Sequence, residues 1–79
     1  MEHPPLPAYR RIRGGASYYR IVAVDRFEEL QRIGSRWMFH EVKASAYPER
    51  LRIQEMLSCA GPFEGSNEAE WARAFAEQG

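Results

Sequence analysis

One stretch, Tyr47 to Pro62, limits what this chain can fold into, because it is punctuated as a helix at both ends. Pro48 suits the first helical position, where its missing N–H is not needed and its fixed φ already fits. Gly61 can adopt the left-handed conformation just past a helix end, and Pro62 forbids continuation. Between them Ile53, Met56, Leu57 and Ala60 recur at i, i+3, i+4 and i+7, which predicts one apolar stripe. Arg50, Arg52, Gln54, Glu55 and Ser58 occupy the rest of the surface. A stripe of this kind must be covered, so the remainder of the chain is read as its cover.

The N-terminal side supplies candidate strands. Residues 1–7 hold three prolines and no periodicity, and they read as a flexible lead before a single domain spanning residues 8–79. Tyr9–Arg13, the turn residues Gly14–Ser17 and Tyr18–Val24 predict a β-hairpin, since two glycines allow a tight turn and the second limb is rich in β-branched and aromatic residues. Asp25 and Glu28 form an Asp-x-x-Glu capping pair, and Phe27, Leu30 and Ile33 a short helical stripe, so a helix is expected from Asp25 to Gly34. Trp37–Lys43 is favoured as a strand by Trp37, Phe39 and Val42. The alternative is a helix running on past Gly34, an interior glycine that costs about 1 kcal/mol. Phe63–Gly65 reads as a loop. Asn67 caps a last helix, with Glu70 closing the box and Trp71, Ala74 and Phe75 as its buried stripe.

The expected fold is therefore α+β: a β-hairpin or small three-stranded sheet with two to three short helices on one face. Its predicted core is Ile21, Ala23, Leu30, Ile33, Met38, Val42, Ile53, Met56, Leu57, Trp71 and Phe75. With 79 residues, a chain of this size buries only about 60 % of its unfolded surface, so dimerisation or partner binding would be a natural supplement.

Composition narrows the function classes. A single cysteine excludes an internal disulfide, makes a reducing, cytoplasmic setting the expectation, and leaves no cysteine cluster for a metal. The N-terminus does not read as a signal peptide, and no stretch approaches the roughly 20 apolar residues of a membrane span. Cys59 and His40 are the only pair resembling a nucleophile and base. Cys59 falls at a helix C-terminus, where the dipole disfavours a thiolate, so a buried structural cysteine is expected. The carboxylates show no acid–base pairing. Gly14–Gly15 lacks the spacing of a phosphate loop and the Lys-Ser/Thr that follows one. No catalytic residue, cofactor or metal is expected, and the chain is read as a non-enzyme.

What stands above background is the hairpin. Arg10, Arg11, Arg13 and Arg20 interleave with Tyr9, Tyr18 and Tyr19, residue types that make protein hot spots or hold phosphates and stack bases. The competing reading is an edge strand kept from aggregating by its charges. Charge is polarised along the chain: residues 1–36 carry seven arginines against four acids, and residues 37–79 four cations against seven acids. Glu64, Glu68, Glu70 and Glu77, near Phe63 and Trp71, make a second, acidic candidate surface. Zero net charge weighs against a dedicated nucleic-acid binder.

In size, class and surface character the chain resembles small phage-encoded inhibitors of the anti-CRISPR kind. That resemblance implies a compact protein without catalysis that occludes a surface of a larger nucleic-acid-handling assembly, such as a CRISPR surveillance complex of the Cascade type. Those families share no motif, so it carries over no residue. The leading expectation is thus a protein-binding inhibitor or modulator using the Arg/Tyr hairpin. The alternatives are direct nucleic-acid binding through the same residues, and a homodimer with the edge strand or the Trp37–Phe39 region as its seam.

Overall fold

A computed structural model describes residues 5–78. Five strands form one antiparallel sheet: β1 (Ala8–Ile12), β2 (Ser17–Ala23), β3 (Arg26–Ile33), β4 (Arg36–Lys43) and β5 (Phe63–Gly65). The first four make a meander. Helix α1 (Tyr47–Leu57) then returns the chain so that β5 pairs with β1, giving the order β4-β3-β2-β1-β5, and α2 (Glu68–Gln78) follows. No helix among the described residues is long and apolar enough to cross a membrane. Residues 1–4 of the proline-rich lead lie outside the described residues, whereas Leu6 packs against the core.

The two helices cover opposite faces of the sheet. Ile53, Met56 and Leu57 of α1 pack with Ala8, Tyr19, Ile21, Phe27 and Phe63. On the other face Trp71 and Ala74 of α2 pack with Leu30, Tyr9, Tyr18, Trp37 and Phe39. Adjacent residues therefore go opposite ways: Tyr18 serves the α2 side and Tyr19 the α1 side, as the two-residue period of a strand requires.

This arrangement overturns several expectations. The sheet is larger than a hairpin or three strands, and the helices do not share a face, although the class remains α+β. The expected helix over Asp25–Gly34 is the strand β3. Phe27 and Leu30, read as helical neighbours, are both buried because one enters the α1 core and the other the α2 core. An i, i+3 pair of apolar residues fits a helix, but it also fits a strand covered on both sides. Residues Trp37–Lys43 lie in the strand β4, with Trp37 and Phe39 packed on the α2 side while Glu41 and Lys43 of that same face stay exposed, which accounts for the poor alternation. Phe63–Gly65, expected as a loop, is β5.

The core shifts accordingly. Ile33, Met38 and Phe75 are largely exposed, Ala23 and Val42 are half-buried, and Ala8, Tyr19, Phe27, Ala44, Phe63 and Ala74 are buried in addition to the expected residues.

The helix ends follow local chemistry. At the start of α1, Pro48 occupies the first turn and the Glu49 carboxylate accepts the Ala46 N–H at 3.3 Å. The helix closes earlier than Gly61. Cys59 takes φ of 58°, its N–H donates to Met56 O at 3.1 Å, and the Ala60 N–H reaches back to Glu55 O at 2.8 Å. That is the Schellman pattern with cysteine where glycine is usual, and it leaves Cys59 exposed instead of buried. In α2 the Asn67 side chain accepts the Glu70 N–H at 2.8 Å. The expected reciprocal bond from Glu70 is replaced by contacts of its carboxylate to Ser66 and Arg11.

Candidate interaction surface

The sheet order decides what the Arg/Tyr hairpin can do. β1 lies between β2 and β5, and β2 between β1 and β3, so neither is an edge strand. Its seven candidate residues divide between the two faces, and six have internal partners. Tyr9 packs 6.5 Å from the Trp71 ring and donates its hydroxyl to Glu68 at 3.4 Å. Arg10 donates from Nε to Met56 O at 2.8 Å and from Nη2 to Leu57 O at 3.0 Å, completing the C-terminus of α1. Arg11 lies between Glu64 at 3.2 Å and Glu70 at 3.1 Å.

Tyr18 packs tilted against Trp37, with ring centroids 5.7 Å apart. Tyr19 is sandwiched between Phe27 and Phe63, at 6.1 and 5.5 Å, with the Arg52 guanidinium 5.8 Å from its ring. Burial, followed by the nearby Glu29 carboxylate, raises the pKa of the Tyr19 hydroxyl above its ordinary 10.0. Arg20 pairs with Glu28 at 3.1 Å. Its buried Nε has no hydrogen-bond partner among the described residues. It borders a cleft of about 280 Å³ lined by Trp71, Ala72, Phe75 and Ala76. Arg13 alone of the seven is in an exposed turn.

The acidic candidates are the other half of the same contacts. Glu64 and Glu70 hold Arg11, Glu68 accepts from Tyr9, and Glu77 accepts the Trp37 Nε1–H at 3.1 Å. The basic N-terminal and acidic C-terminal halves thus bind each other across β1, β5 and α2. His40 lies on β4 opposite Glu29, and Cys59 lies beyond the end of α1.

The surface that remains unspent is β4. Its eight residues pair with β3 without interruption, from Ile33↔Arg36 to Arg26↔Lys43, and no strand among the described residues pairs with its other side. Gly34 and Ser35 form a two-residue turn, for which the φ of 65° at Gly34 is suited. Such a turn is closed by a hydrogen-bonded pair, here Ile33 and Arg36, and the phase then alternates. The Ala44 N–H donating to Asp25 O at 2.6 Å keeps that phase at the far end. Arg36, Met38, His40 and Val42 therefore direct their backbone groups at β3. Trp37, Phe39, Glu41 and Lys43 direct theirs outward, where the Lys43 carbonyl already accepts the Ser45 N–H at 3.0 Å.

Beside this edge, on the face that α1 leaves open, Ile33 and Met38 are 55 % and 44 % exposed. The opposite edge, β5, is only three residues long, and a short edge is one of the usual protections against unwanted pairing. The sequence had marked Trp37–Phe39 as a possible seam. It could not show that β4 ends the sheet, because that depends on β5 crossing to the other side.

Comparison with protein-family models, with curated proteins and with solved structures finds no match for this chain.

Proposed function

We propose that this chain is a protein-binding module that performs no bond-making chemistry and recognises its partner by strand addition at β4. By covering the partner surface that docks there it acts as an inhibitor or modulator of the kind the resemblance implies. The observation that carries this reading is the unbroken eight-residue edge with its outward backbone groups unpaired by any strand. Strand addition gains affinity from main-chain hydrogen bonds and specificity from alternate side chains. Here those are Trp37 and Phe39 toward α2, and Met38 on the open face.

Capture of partner by wild type and by Glu41→Pro tests it. The Glu41 N–H points away from β3, so proline there spares the β3–β4 ladder and blocks an added strand. A stoichiometric partner retained by wild type and lost by Glu41→Pro is the expected result. Equal capture by both would overturn the reading.

Nucleic-acid binding is a second reading with its own observation. In the meander, the β1–β2 and β3–β4 turns lie at the same end of the sheet, which brings Arg13, Arg32 and Arg36 to one end. Arg32 lies 6.0 Å over the Trp37 ring. This reading expects affinity that falls steeply with salt and is abolished by Arg13→Ala with Arg36→Ala, while Glu41→Pro leaves it intact.

A further inference from the structure

We infer that the strand added to β4 is β4 of a second copy of this chain. The inference rests on the strand-addition reading above and names as its partner a second copy of this chain, in place of a surface of a larger assembly. A two-fold axis perpendicular to the sheet makes two β4 strands antiparallel and keeps each face continuous, so residues on one face meet residues on the same face. Only some registers satisfy the outward groups. With the axis at His40, Trp37 lies opposite Lys43 of the other copy and Phe39 opposite its Glu41. Every outward residue of β4 then gains a backbone partner. Moving the axis to Phe39 leaves the Lys43 N–H without one, and moving it to Glu41 sets two carboxylates face to face.

The same register suits the side chains. Lys43, exposed in the single chain, comes beside the Trp37 ring, a favourable cation–aromatic pairing. On the open face Met38, 44 % exposed, is covered by Val42 of the other copy. Arg36 lies opposite Ala44. No pair of like formal charges is set in direct opposition, a condition that matters because such pairs destabilise a sheet. The seam is self-complementary as an isologous contact requires, and it joins two sheets into one continuous sheet with α2 and its symmetry mate on the same side.

The test combines oligomeric state with register. Sedimentation of the wild-type chain at micromolar concentration should show a dimer that Glu41→Pro converts to monomer, with the circular dichroism of the fold unchanged. In a Cys59→Gly background, which removes the exposed native thiol, His40→Cys should form a disulfide-linked dimer under mild oxidation. Directly opposed non-hydrogen-bonded residues lie about 4.5 Å apart at Cα, within disulfide reach. Met38→Cys in the same background should cross-link at least tenfold more slowly. A wild-type monomer would overturn the inference, as would a dimer that Glu41→Pro leaves intact, or faster cross-linking at Met38→Cys than at His40→Cys. If the wild type is monomeric but still loses a different protein partner on Glu41→Pro, the second-copy assignment fails and strand addition stands.

Discussion

The two hairpins of this sheet are built from similar residues and end in opposite circumstances. β1–β2 carries Arg10, Arg11, Arg20, Tyr9, Tyr18 and Tyr19, and all of them are taken up in capping α1, pairing with Glu28, Glu64 and Glu70, or packing under the helices. β3–β4 carries Arg36, Met38, His40 and Glu41, all exposed, along an edge that no strand among the described residues closes. Residue type alone did not decide which hairpin keeps open backbone groups. Position in the sheet did: central strands must satisfy what they bury, whereas an edge strand keeps half its backbone groups available.

The comparison can be broken most decisively at its buried end. Tyr19→Ala removes a ring only 2 % exposed and should cost about 3–5 kcal/mol, the range for deleting a buried aromatic. Met38→Ala, on the open face of β4, should stay within about 0.5 kcal/mol. Chemical denaturation of both reads the contrast directly, and equal losses would mean that the two hairpins do not differ as described.

Next in size is the arginine contrast. Arg10→Ala removes the charged donor to the Met56 and Leu57 carbonyls, leaving Met56 O only the Cys59 N–H, and hydrogen bonds from a charged group are worth about 1.5–3 kcal/mol. Arg36→Ala should be neutral within about 0.5 kcal/mol. A smaller, opposite effect is expected at the helix end. Cys59→Gly relieves a left-handed residue at φ of 58° and should stabilise the fold by about 1 kcal/mol, the excess cost of that conformation over glycine.

The least change comes with alkaline pH. The pKa of Tyr19 is raised in the folded chain, so its contribution is fully present below about pH 10, the ordinary tyrosine value, and is lost as pH rises from there through the folded value. Tyr19→Phe should flatten that alkaline decline, followed as denaturation midpoint against pH.

What could be read from the sequence follows the same divide. Local signals are legible: Pro48 lies in the first turn of α1, one residue after its Tyr47 start, Asn67 caps α2 and the aromatic run of β2 is a strand. Non-local facts were hidden. Phe27 and Leu30 give the same spacing in a helix and in a strand buried on two sides, and Glu28, Glu29, Gln31 and Arg32 between and beyond them favour a helix intrinsically. The residue types of the Arg/Tyr hairpin were plain, but their partners Glu64, Glu68 and Glu70 lie over fifty positions away. Only the return of β5 to β1 joins them. The Trp37–Phe39 seam was legible as an aromatic segment, while its standing at the sheet edge required the strand order.

Residue-resolved amide hydrogen exchange along β4, at low and at high protein concentration, tests the open edge most directly. At low concentration the amides of Met38, His40 and Val42 should be protected and those of Trp37, Phe39 and Glu41 fast. At high concentration the second set should slow as well. If Phe39 and Glu41 stay fast when the chain associates, or are already protected in the monomer, β4 is not an open docking edge.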